Sequence, residues 1–131
     1  MWITGGMDSN WNNLHSTKVV TINGSTSGID LPFTVSSHCM VQYQPNAVIL
    51  IGGDQNGNAD SDKTWLIDPT NGFDIIQGPN LNQGRAYHSC GILKDDSGNV
   101  LVIVAGGGNM KSVEVLNTTS LKEWIEGRYI F

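Results

Sequence analysis

Few residues in this chain are of a kind that could do chemistry, and their spacing limits what that chemistry could be. His38 and His88 are the first candidates, because imidazole is the commonest transition-metal ligand. No third ligand stands at a recognisable metal spacing from either, so packing or hydrogen bonding within the fold is the favoured role. Cys39 and Cys90 follow those histidines by one and two residues respectively. Along two equivalent strands that offset turns their side chains to opposite faces, so the expectation is two buried thiols rather than a disulfide.

The segment DQNGNADSD, Asp54–Asp62, gathers the oxygen ligands that calcium prefers. It fails the EF-hand pattern, however, since Ala59 occupies the glycine position and the terminal glutamate is missing. A solvated hairpin loop is expected there, with Asn-Gly as its turn. AGGGNMKS, Ala105–Ser112, superficially resembles a phosphate-binding loop. Met110 stands where that loop needs glycine, and a strand rather than a helix is expected to follow. There is no G-x-S-x-G elbow, no H-E-x-x-H and no coherent Ser/His/Asp set. No catalytic residue, metal ligand or cofactor is therefore assigned. Asn23-Gly-Ser25 and Asn117-Thr-Thr119 are glycosylation sequons, but about two are expected by chance in a chain this rich in Asn, Ser and Thr. They fall at matching positions when the repeat described below is aligned.

The elements that must hold these residues are strands. Sixteen glycines, thirteen asparagines and eleven serines make a chain of turn formers. No segment keeps apolar residues at helical spacing for more than about two turns. The chain is all-β by this reading. Its net charge of −5, with seven Lys and Arg scattered singly, speaks against nucleic acid. The longest apolar run, Val100–Ala105, is far too short to cross a bilayer as a helix. No basic stretch followed by an apolar run opens the chain, so no signal peptide is visible, which favours the cytoplasm.

Self-similarity organises the strands. Three Gly-Gly pairs each close an apolar run: Gly5-Gly6, Gly52-Gly53 and Gly106-Gly107, spaced by 47 and 54 residues. KVVTIN, KTWLID and SVEVLN follow them, matched at shifts of 45 and 49. Leu31 and His38 recur as Leu81 and His88 at a shift of 50, and Asp68–Gly78 matches Asn117–Gly127 at 49, which sets Ile75 opposite Trp124. The predicted strands are Trp2–Thr4, Thr17–Ile22 and a poor one near Ile29–Leu31; then Ser37–Gln42, Ala47–Ile51, Lys63–Ile67 and Phe73–Ile76; then Tyr87–Leu93, Val100–Ala105, Ser112–Leu116 and Lys122–Ile125.

An apolar run ending in Gly-Gly, a strand with a Tyr-like position and then a Trp resembles the Kelch repeat, a four-stranded propeller blade. VLVIVAGGGNMKSVEVLNTTSLKEW matches that pattern almost throughout. Leu116, Ile67 and Ile22 stand where the family prefers Tyr, and the Trp survives only as Trp124. The resemblance implies a partial Kelch-type β-propeller of about two and a half blades: an incomplete blade over 1–31, blades over 32–80 and 81–127, and a tail over 128–131 leading to a further one. It also implies a protein-interaction scaffold or adaptor rather than an enzyme, with loops on one propeller face reading protein partners of unknown identity. The loops expected to do so hold Asp8, Asn10, Trp11, His15, Asp54, Gln55, Asn58, Asp60, Asn82 and Arg85. For Arg85 a tie between its loop and a neighbouring blade is an equally good role. The enzyme alternative within the resemblance is a galactose oxidase-like or sugar-binding propeller, yet Tyr43, Tyr87 and Tyr129 fit no ligand motif. An open row of blades leaves an apolar face and strand edges uncovered, so self-association, or further blades from a longer parent chain, is expected.

Overall fold

A computed structural model describes residues 1–68 and 74–127. Thirteen strands and no helix are found among them. The first sheet contains β1 (Trp2–Thr4), β2 (Thr17–Thr21) and β3 (Gly24–Ser27), in that order. A two-residue strand, β4 (Val35–Ser36), precedes β5 (Cys39–Gln44) and β6 (Ala47–Ile51). Another short strand, β7 (Asp54–Gln55), pairs with β4. With β8 (Thr64–Asp68) and β9 (Asp74–Gln77), the second sheet runs β5-β6-β8-β9. The third has the same plan: β10 (Ser89–Lys94), β11 (Val100–Ala105), β12 (Val113–Asn117) and β13 (Trp124–Gly127). All pairings are antiparallel.

Why β6 is apolar at every position follows from where its two faces go. Successive side chains alternate between faces. Ile49 and Ile51 enter a core shared with Val102, Val104, Leu116 and Trp124 of the third sheet. Val48 and Leu50 enter a second core with Leu31, Phe33 and Val35 from the connection that leaves the first sheet. The second sheet is thus covered on both faces, and a strand at its centre can carry no polar side chain inward without a partner.

The sequence repeat is a repeat of structure. Leu31 N–H donates to the His15 carbonyl as Leu81 N–H donates to Asp62, both at 2.8 Å. Val35 N–H reaches the Leu14 carbonyl as Arg85 N–H reaches Ser61, and Gly6 N–H reaches the Val35 carbonyl as Gly53 N–H reaches Arg85. Ile75 and Trp124 are likewise equivalent, facing Ile67 and Leu116 across their hairpins.

One register differs from expectation. Thr4 faces Thr17 as Ile51 faces Thr64, so the first and second units align here at 47, not 45. Gly5 N–H and Gly52 N–H anchor the register by donating to Ser16 and Lys63, each at 3.0 Å. A slip of two keeps every side chain on its face, so apolar pattern alone does not resist it. Val20, not the fully exposed Ile22, therefore holds the position of Ile67 and Leu116. The two sequons also shift apart: Asn117 ends β12, whereas Asn23 sits in the turn beyond β2.

Other differences are local. The last strand of the first sheet is Gly24–Ser27 rather than a segment near Ile29–Leu31. It is exposed along its whole length and carries no apolar alternation, and the two-residue Ile22-Asn23 turn pairs it to β2. Asp54–Gln55 is a strand rather than part of a solvated loop, and Gln55 is buried. Phe73 and the tail 128–131 lie outside the described residues.

Candidate functional site

In each unit the second strand runs towards its Gly-Gly pair, so the loops beyond β1, β6 and β11 emerge at one end of the sheets. The connections entering β5 and β10 reach that end too. Asn56 N–H donates to the Thr34 carbonyl, and Asn56 Oδ1 accepts from Thr34 N–H at 3.1 Å. Gly84 lies so close to the Asp60 carbonyl that no side chain would fit between them. The three loops singled out from the sequence, 7–15, 54–62 and 82–85, therefore form one continuous end face.

Within that face the individual residues fall into two groups. Trp11, His15, Asn10, Asn58, Asp60 and Asn82 are exposed, and Asp8 and Asp54 are half-buried. Arg85 and Gln55 are interior. The Gln55 carboxamide donates to the Gly52 carbonyl at 2.8 Å and accepts from the Trp65 indole at 2.9 Å. Gln55 thereby closes its own loop. Asn82 donates through its backbone and side chain to Glu114, at 2.7 and 2.9 Å.

Arg85 is fully enclosed. Its guanidinium donates to Glu114 Oε1 at 2.7 Å, to the carbonyls of Gly106 and Ser112, and to Ser112 Oγ. Glu114, equally buried, also accepts the Gln83 N–H. A charge pair removed from water is stable only when most of its lone pairs and protons are satisfied. Here the loop amides serve Glu114, while Arg85 Nε alone of the guanidinium nitrogens has no partner among the described residues. The network ties segment 82–85 to the third sheet, a tie within the unit 81–127 rather than to a neighbouring one, and it leaves Arg85 enclosed instead of facing a partner.

The histidines lie beneath the same end. A side chain on Gly5 or Gly53 would strike His38, and one on Gly52 or Gly107 would strike His88. Each histidine thus sits between two Gly-Gly pairs, its ring against one and its Cβ against the other, and all four glycines have positive φ. Burial pushes both imidazoles down to about 4, aided at His88 by the Arg85 guanidinium. No group of three or more His, Cys, Asp or Glu positioned to hold a metal occurs among the described residues.

Cys39 and Cys90 form a disulfide, contrary to the expectation of two thiols. Ser89 faces Ala105 as Cys39 faces Ile51, so the cysteines are one position out of step and do point to opposite faces of equivalent strands. The second and third sheets are packed face to face, so opposite faces of equivalent strands are the ones that meet.

Sequence reasoning missed what holds Trp11 out. Asp8 Oδ1 accepts the N–H groups of Asn10 and Asn12, Oδ2 accepts Asn12 Nδ2, and Trp11 N–H returns to the Asp8 carbonyl. Asp95 builds the same five-residue turn with Ser97, Gly98 and Asn99. The fourth residue is left-handed in both: Gly98 at φ 81° and Trp11 at φ 65°. Trp11 is 82% exposed. Tyr87 has a similar character, with φ 56° and 75% exposure, at the entrance to β10 on the same end. Its N–H donates to the carbonyl of Ser37, its left-handed counterpart in the preceding unit.

No protein-family model matches the chain, and no curated protein matches it.

Proposed function

We propose that this chain is part of a Kelch-type β-propeller whose loop-bearing end binds a protein partner, with Trp11 and Tyr87 as its anchors. The observation that carries the reading is Trp11: an exposed indole occupies a left-handed turn position that an equivalent turn gives to glycine. A bulky residue in that conformation costs about 1–2 kcal/mol and persists where surrounding structure and function impose it. Large aromatics on a rigid turn are also the residues that dominate protein interfaces. Around them stand Asn10, Asn58, Asp60 and Asn82, a polar rim of the kind such anchors have.

Two four-stranded sheets of identical order, stacked face to face, support the propeller reading. The face by which the second sheet meets the third carries Cys39, Val41, Tyr43, Ile49 and Ile51. Its register equivalents on the third sheet are Ser89, Gly91, Leu93, Ile103 and Ala105, which line an open apolar hollow. A further sheet of the same kind, from a longer chain or a second copy, is the occupant this reading assigns. Size-exclusion chromatography of the 131-residue chain should then show association, and a stable monomer would count against it.

Trp11→Gly is the direct test of the binding end. Relief of the backbone should raise the melting temperature slightly, while a photo-crosslinker placed at Tyr87 should lose the partner it captures in the parent chain. A crosslinker at Ser97, at the other end, should capture none. A variant that binds as before, or that melts lower, would remove Trp11 from the interface.

A further inference from the structure

We infer that Asn23 and Asn117 are N-glycosylation sites and that the chain matures in an oxidising, secretory compartment. Two independent observations meet in this proposal. The first is the Cys39–Cys90 disulfide, which closes a 51-residue separation and clamps the second sheet to the third. Disulfides of this structural kind persist where the surroundings are oxidising and are rare in the cytosol. The second is the placement of the two sequons.

Asn23 lies between the last two strands of the first sheet, and Asn117 ends the strand before the last one of the third. Asn23 is exposed in the two-residue turn between β2 and β3. Asn117 closes β12, and its Oδ1 accepts the Thr119 N–H at 2.9 Å. That leaves Asn117 Nδ2 without a hydrogen bond among the described residues. β2 and β12 run away from the loop-bearing end, so both sites are at the opposite end, about 17 Å from it at roughly 3.3 Å per residue. A glycan at either one leaves Trp11 and Tyr87 uncovered. Asn23 stands on an exposed turn and Asn117 is half-buried at a strand end; a sequon so placed in a disulfide-bonded chain is more selective than a sequon alone.

The chemistry balances with two co-reactants of the secretory pathway. The Asn Nδ2 attacks the anomeric carbon of a lipid-pyrophosphate-linked oligosaccharide, held by its transferase. A C–N bond forms, the carbon–oxygen bond to pyrophosphate breaks, and the lipid pyrophosphate leaves with the electron pair while the amide gives one proton to the transferase base. The two thiols pass two electrons and two protons to a protein disulfide donor, which is reduced to a dithiol.

The test uses the natural protein, isolated from its source by antibody. Treatment with an amidase that cleaves N-linked glycans should speed its migration in two steps, converting Asn23 and Asn117 to Asp. Cys39 and Cys90 should resist alkylation until a reductant is added. In the tagged full chain expressed in the same cells, Asn23→Gln, Asn117→Gln and Thr119→Ala should each abolish one step, and Ser25→Thr should keep both. Unchanged migration overturns the glycan assignment, and cysteines that alkylate without reductant overturn the compartment.

Discussion

Cys39 and Cys90 are bonded because they are out of step. Their Cα atoms lie 6.0 Å apart on β5 and β10, the first strands of two sheets whose facing surfaces are opposite faces of the same repeating unit. Equal positions would have pointed the two sulfurs in the same direction, one of them away from the other sheet.

Reduction should therefore loosen the contact between the second and third sheets. A loop of this length gives a stabilisation of about 4 kcal/mol in the chain-entropy treatment. Cys39→Ser should lower the melting temperature by a comparable amount under oxidising conditions and make it insensitive to dithiothreitol. A parent chain whose melting temperature ignores the reductant would contradict this.

Removing one partner of the Arg85–Glu114 pair strands a buried charge. Arg85→Met or Glu114→Leu alone should cost about 3–5 kcal/mol, and the double variant much less than their sum. Denaturant midpoints of the four proteins supply the cycle. Additive losses would mean that the pair is not coupled.

Acid should act through the two enclosed histidines. Folded His38 and His88 stay neutral down to about pH 4, whereas unfolded imidazoles protonate near 6.5. The unfolded chain then binds more protons between those values, so stability present above pH 6.5 is lost as pH falls towards 4. The loss is of the order of 2 kcal/mol per ring after allowance for partial exposure. His88→Gln should flatten a plot of melting temperature against pH over this window; an unchanged slope would exonerate the ring.

Two glycines separate backbone strain from crowding. Gly53 and Gly57 both have positive φ, at 86° and 77°. A Cβ on Gly57 meets nothing within 4 Å, whereas one on Gly53 would strike the Ser36 carbonyl oxygen and lie 2.7 Å from His38 Cβ. Gly57→Ala should cost about 1 kcal/mol and Gly53→Ala several times that, read from chemical denaturation. Equal costs would mean that the backbone over 36–38 yields.

What the sequence determined by itself is the repeat and the strands that carry a strong pattern. Gly-Gly after an apolar run marks a place where the backbone turns against a packed neighbour, and β6 and β11 are found as expected. The match of Ile75 to Trp124 and of His38 to His88 is local information of that kind, legible because each unit folds by the same hydrogen bonds. The grouping of three loops at one end follows as well, since antiparallel strands return their connections to the same side.

Only tertiary structure decided what happens between units. A period-2 pattern reports which face of a strand is covered, but not by which neighbour. For this reason the disulfide, the enclosure of Arg85 and the burial of Gln55 were not legible. Strand β3, with four exposed residues, had no apolar signal to read. Trp11 is the same lesson at a single residue. Its loop suggested a partner contact, and the left-handed turn built on Asp8 is what turns it outward.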